Sequence, residues 1–123
     1  MKRGLKVGMS STVRFSVDES MLASFEGKRI HDVLSTFHLV YYAELAARNL
    51  IEPFLDDSED AAGHEISLRH LAPTKIGEIV ELTATLSGKD GKRLISKIEG
   101  KNQTGRICYG TQTQVLIRKG KLG

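Results

Sequence analysis

The sequence predicts an α+β fold in which an antiparallel sheet of about five strands wraps around one long buried helix. Three observations carry that prediction. The stretch from Val33 to Leu55, VLSTFHLVYYAELAARNLIEPFL, is the only long run of good helix formers; it has no glycine, and Pro53 comes only near its end. From Gly63 onward the chain alternates apolar and polar residues in four successive runs. The later runs are separated by tight-turn signals, Asp90-Gly91 and the NQTG segment ending at Gly105, which make them antiparallel neighbours.

Taken in order, residues 11–18 alternate Val13, Phe15 and Val17 with polar neighbours and predict a half-buried first strand. Residues 19–31, ESMLASFEGKRIH, have no clean period; a loop with a short helical turn is expected there. The helix is expected over residues 33–51, with Asp32 or Ser35 as its N-cap. Apolar residues fall all round it, which predicts burial on every side. DDSEDAAG, residues 56–63, is expected to be a connection. The next strand places His64, Ile66, Leu68 and His70 on one face and Glu65, Ser67 and Arg69 on the other. Residues 78–88 alternate Val80, Leu82, Ala84 and Leu86 with polar residues, and residues 93–100 form the return strand. Residues 106–119 form the last strand, where Gly110 marks a bulge or a close backbone approach.

One domain spanning residues 1–123 is expected, long enough for a real core. The composition, 40% hydrophobic and 27% charged, fits a soluble globular protein. No apolar run approaches the roughly 20 residues that span a bilayer. The N-terminus lacks the apolar core and cleavage pattern of a signal peptide, so the cytoplasm is the expected location. A lone Cys108 excludes an intrachain disulfide and an all-cysteine metal site. The net charge of +3 is mild and scattered, apart from Arg118, Lys119 and Lys121, and the few aromatics lie mostly in the helix. That distribution argues against a nucleic-acid partner. Dinucleotide, P-loop, HExxH and GxSxG motifs are absent, and His31, His38, His64 and His70 lack metal-ligand spacing.

The chemistry resides in polar groups set among apolar ones. Glu44 in a buried helix is costly unless it is paired or used. Arg48, one turn later, offers the bland pairing. Thr36 has a bland role too, capping the helix start, and His70 can simply be a core histidine. His38 is the alternative functional histidine, near Thr36 on the helix. Thr36 and Glu44 lie about 80° apart around the helix and about 12 Å along it, and a strand crossing the helix can set His70 between them. Hydroxyl, carboxylate and imidazole around one pocket are the parts for acyl transfer or hydrolysis.

These stretches, with GHEISLRHLAPTKIGE and weaker matches at LKVG and YGTQTQ, resemble hotdog-fold thioesterases, most closely the fluoroacetyl-coenzyme A thioesterase group. The resemblance implies a hotdog fold and a catalytic set of Thr36, Glu44 and His70, with Gly63 offering a backbone N–H to the thioester carbonyl. It also implies a homodimer with sites at the subunit interface, and an acyl-coenzyme A substrate with no cofactor beyond the coenzyme A it carries. Two positions depart from the family's best-known member: Gln114 replaces an arginine on the last strand, and Ile30 a lid phenylalanine. The expected activity is hydrolysis of a small or medium acyl-coenzyme A thioester, without metal. The alternative is a protein of the same fold that binds acyl-coenzyme A or an apolar ligand without turnover. A hydratase would want an Asp–His pair near the helix start, for which Asp32 and His38 are a poor stand-in.

Overall fold

The structure, a computed structural model, describes residues 1–122. Its main sheet has five strands: β1 (Ser10–Ser16), β4 (Glu59–His70), β5 (Ile79–Asp90), β6 (Arg93–Asn102) and β7 (Gly105–Arg118). Their spatial order is β1-β5-β6-β7-β4, and every neighbouring pair is antiparallel. The helix α1 (Thr36–Ile51) packs against β1 and β5 on one side and β4 and β7 on the other. The sheet therefore curls round the helix, which is the hotdog arrangement.

The alternation of β5 places Val80, Leu82, Ala84 and Leu86 fully inside. They meet Leu39, Ala43, Ala46, Ala47 and Leu50 of the helix, and Leu94 and Ile98 extend the same floor from β6. Three alanines on the contact stripe let the helix axis lie close to the sheet. Each fully buried Leu or Ile contributes roughly 1.5–3 kcal/mol. Truncating Leu82 to alanine would cost about 2–5 kcal/mol, because its neighbours cannot collapse into the gap.

The helix starts at Thr36, later than residue 33, because Val33 and Leu34 belong to a strand, β3 (Lys28–Leu34). Ser35 is the N-cap, its hydroxyl oxygen accepting from the His38 N–H at 3.2 Å. Past Ile51 a short 3₁₀ turn, Glu52–Phe54, follows, with Pro53 inside it. The expected loop at residues 19–31 holds more structure than a single turn. A 3₁₀ turn (Glu19–Met21) leads into β2 (Leu22–Phe25), which pairs with β3 through a bend at Glu26 and Gly27, both at positive φ. This ribbon has an irregular register and few buried side chains, so it leaves no period in the sequence.

Two further expectations change. β4 begins at Glu59, inside the segment expected to be a connection, and a register shift between Gly63 and Glu65 breaks its alternation, leaving His64 exposed. The helix is not buried all round either: Phe37 and Tyr41 are 46% and 60% exposed. Gly110 marks a close approach rather than a bulge. It sits opposite Leu68, and a Cβ there would strike the Ser67 carbonyl.

Candidate active site

Thr36 is the first residue of α1 and His70 the last of β4, and their Oγ1 and Nδ1 atoms lie 2.9 Å apart. Ser35 already caps the helix, so the Thr36 hydroxyl is free to face the ring. His70 is half-buried, and its Nε2 is shielded from solvent with no hydrogen-bond partner among the described residues. Burial pushes the imidazole below its usual range, with the Ala72 backbone opposing that shift, and the ring is held neutral at pH 7. A neutral ring carries one N–H and one lone pair, so its Nδ1 can either donate to or accept from the Thr36 hydroxyl.

Glu44 lies two turns along the helix, against Gly63. A Cβ built on Gly63 would stand only 2.9 Å from the Glu44 Oε2, so the absent side chain makes room for the carboxylate. The surface pairing open to Glu44 does not form. Arg48 turns away and donates to Glu52 (2.9 Å), Asp60 (3.0 Å) and the Ala61 carbonyl (3.0 Å). The partner of Glu44 is Gln112, whose Nε2 donates to Oε2 at 3.1 Å. Tyr41, Glu44, Arg48, Ala61, Gly63 and Gln114 line one shallow cleft, and His64, Glu65 and Ile66 flank Glu44 in another.

The structure thus brings together Thr36 with His70, and Glu44 with Gly63, but not the two pairs. β4 runs antiparallel alongside the helix instead of crossing it, so His70 sits at the helix start and Gly63 beside its middle. The pairs are about 12 Å apart along the helix axis. Among the described residues no hydrogen bond joins Glu44 to Thr36 or His70.

Other candidates are occupied elsewhere. His38 Nδ1 lies 2.6 Å from the Ser35 hydroxyl, and exposed Asp32 is 3.5 Å from Arg29, so Asp32 and His38 form no pair. Burial pushes the Cys108 thiol up to about 11, which removes it as a nucleophile. A larger concavity than this cleft lies on the sheet face turned away from the helix, among Thr83, Lys97, Glu99 and Arg106, remote from these groups. Among the described residues no cluster suits a metal ion, and no helix is long and apolar enough to cross a membrane. Sequence reasoning did not single out Gln112. The available signal was an amide at an inward position of the last strand, where the parity calls for an apolar residue.

Residues 17–120 match the family described as fluoroacetyl-CoA-specific thioesterase. The chain belongs to that family. Its similarity to the fluoroacetyl-CoA thioesterase of Streptantibioticus cattleyicolor is 28% identity over 95% of this chain and 88% of that protein. A crystal structure of a mutant fluoroacetyl-CoA-specific thioesterase superposes with a TM-score of 0.89, at 28% identity over 98% of this chain and 94% of that one. A Thermus thermophilus hypothetical protein, described as a thioesterase superfamily member, has a TM-score of 0.93 and 31% identity over 98% of this chain and 89% of that one. Membership of the fluoroacetyl-CoA-specific thioesterase family agrees with the hotdog fold and with acyl-coenzyme A thioester hydrolysis.

Proposed function

We propose that this protein hydrolyses an acyl-coenzyme A thioester, with Thr36, Glu44 and His70 as its reacting groups and Gly63 as backbone support. One observation carries the reading: Glu44, on a largely buried helix, declines the salt bridge with Arg48 and presses its carboxylate onto the Gly63 backbone instead. A structural carboxylate would take the guanidinium; one that must reach a substrate is kept clear of it. Glu44 attacks the thioester carbon or activates the water that does. Gly63 offers its N–H to the carbonyl oxygen as charge develops there. His70, neutral and steadied by the Thr36 hydroxyl, takes a proton from the attacking water and passes it to the departing coenzyme A thiolate. Family membership supports the same substrate class, and a fluoroacetyl-CoA-specific thioesterase mutant has been crystallised with fluoroacetate and coenzyme A.

A homodimer gives the two pairs a way to meet. β4 is an edge strand of twelve residues with an unpaired outer side. Exposed Phe25, Phe37 and Tyr41 stand on the β2–β3 ribbon and the helix. If two copies join β4 to β4 antiparallel about a point near Ile66 and Ser67, midway between Gly63 and His70, the partner's His70 comes beside Gly63. Each site then combines Glu44 and Gly63 of one protomer with the Thr36–His70 pair of the other.

The test is a hydrolysis screen over short, branched, aromatic and long-chain acyl-coenzyme A thioesters, with Glu44→Gln alongside. Turnover of at least one thioester that falls about 10²–10⁴-fold in the variant is expected. A protein that binds acyl-coenzyme A and turns over none is instead the non-catalytic binder of the same fold.

A further inference from the structure

Gln112 is completely buried on β7, with Ile66 of β4 opposite it on one side and Ser96 of β6 on the other. Burying an amide costs free energy unless its hydrogen bonds are made. Only one of this one's two polar atoms is bonded. Nε2 donates to Glu44, while Oε1 has no partner among the described residues. The Ser96 hydroxyl is equally buried and also lacks a partner. The register sets Ser96 and Gln112 directly across from each other, with Cβ atoms about 4.5–5.5 Å apart, so the free donor and the free acceptor are carried by neighbouring side chains on the inner face of the sheet. An apolar pair at these two positions would pack against the helix at lower cost.

The orientation follows from the atoms. A carboxylate only accepts, so the amide must present its N–H₂ end to Glu44 and its oxygen to Ser96. The two are not bonded in this structure; a turn of the Ser96 side chain that brings its hydroxyl to Oε1 would hold that orientation and polarise the amide toward Glu44. Gln114, two residues on, donates to the Ala47 carbonyl at 3.0 Å and ties the helix to the sheet without touching the carboxylate. The two glutamines divide the work: Gln114 anchors backbone, and Gln112 anchors a side chain that the fold does not need. The remaining ionisable groups around Glu44 are Arg48 and Tyr41 on its own helix and His64 and Glu65 on β4, and none of them bonds to it.

We infer that Gln112, backed by Ser96, is a positioning residue that holds the Glu44 carboxylate at the Gly63 backbone, in the geometry the reaction needs. The inference rests on Glu44 being a reacting group. The test uses Gln112→Met, which keeps the length of the side chain and removes its donor, and Ser96→Ala, singly and together, in the full-length protein. A carboxylate displaced by about 1 Å loses on the order of 10²-fold in rate. Gln112→Met should therefore lower kcat about 10–100-fold, with KM within about twofold and Tm unchanged or higher. Ser96→Ala should lower kcat severalfold in the native background and have no further effect in Gln112→Met, because the relay is already cut. Native kcat in Gln112→Met, or a fall in Tm with kcat preserved, overturns the inference and leaves a structural tether. Should Gln112→Met fail to fold, Ser96→Ala decides alone: a lower kcat at constant KM and Tm supports the relay, and native kcat overturns it. Glu44→Gln serves as the control. If that variant keeps native turnover, the reading of Glu44 itself is wrong; if it is inactive while both other variants are native, only the positioning role fails.

Discussion

The Glu44 carboxylate lies so close to Gly63 that a methyl group on that backbone would stand 2.9 Å from Oε2. The contact involves the far end of a flexible side chain, and the φ of Gly63 is not positive, so an alanine there is tolerable to the fold. It is not tolerable to a carboxylate that must stay put. Gly63→Ala should leave stability within the range of ordinary surface changes, about ±0.5 kcal/mol, and lower kcat by about 10²-fold. Thermal melts beside steady-state kinetics decide. A large loss of Tm with proportionate kcat would mean that the glycine serves the strand.

Thr36 and Ser35 are neighbours with separable tasks. Ser35 holds the helix N-terminus, whereas the Thr36 hydroxyl bonds to His70. Ser35→Ala should cost about 1 kcal/mol of stability. Thr36→Ala should cost little stability and lower kcat by about 10²–10⁴-fold. The pattern fails if the two variants exchange effects, which would make Thr36 the cap.

Burial holds the His70 pKa below its unfolded value, and the sign of the pH dependence follows. Above about pH 6.5 the ring is neutral in both states, and its contribution to stability is complete. As the pH falls from there through the depressed folded value, the unfolded chain binds the proton more readily and stability is lost. His70→Gln should therefore flatten the decline of Tm between about pH 7 and pH 5 relative to the native protein. An identical decline in both would show that His70 does not carry it.

The fold was legible wherever one face of an element is buried. β5, β6 and β7 announce themselves because alternate residues enter the core and Gly91 and Gly105 supply the turns. The β2–β3 ribbon was illegible because it buries little and its register slips between Leu22 and Ser24. The helix start was misplaced by three residues because Leu34 is fully buried as strand, its N–H donating to the Thr74 carbonyl, and nothing local signals that bond. At the site, the residue types stood out but their pairing did not. Whether His70 meets Thr36 or Glu44 depends on how β4 runs along α1, and that is set by the pairing of β4 with β7 about 40–60 residues away in sequence. Gln112 stayed hidden for the same reason, since a buried amide in a strand means little until the carboxylate above it is known.

The separation of the two pairs makes a prediction about mixtures. If each site joins Glu44 of one protomer to Thr36 and His70 of the other, two inactive variants can rescue one another. Co-expressed Glu44→Gln and Thr36→Ala chains should form heterodimers with one site intact and one site doubly damaged. Random pairing makes half the dimers mixed, so about a quarter of native activity should return. A site contained in one chain would return none, and a monomer in sedimentation runs would remove the arrangement altogether.

The specificity expected of this site starts from Gln114 and Ile30, the two positions that depart from the family's best-known member. Gln114 is buried below the cleft and spends its donor on the Ala47 carbonyl, so it offers no fixed positive charge to an acyl group. The guanidinium that does line the cleft, Arg48, is held by Glu52 and Asp60. Ile30 stands 52% exposed on β3, and a flexible aliphatic chain shields a thioester less than an aromatic lid does. Telling fluorine from hydrogen needs a preorganised polar contact, because a pocket that judges size alone separates near-isosteres by only about 1–3 kcal/mol. The fluoroacetyl to acetyl ratio in kcat/KM should therefore stay below about 200-fold, and acyl groups larger than acetyl should be accepted. Kinetics on acetyl, fluoroacetyl and a branched or aromatic thioester, run side by side, measure this directly. A preference for fluoroacetyl of several orders of magnitude would show that another group, Arg48 foremost, reaches the fluorine. Gln114→Arg then becomes the informative variant: in a site lacking a polar contact it should raise the fluoroacetyl preference, and in a site that already has one it should not.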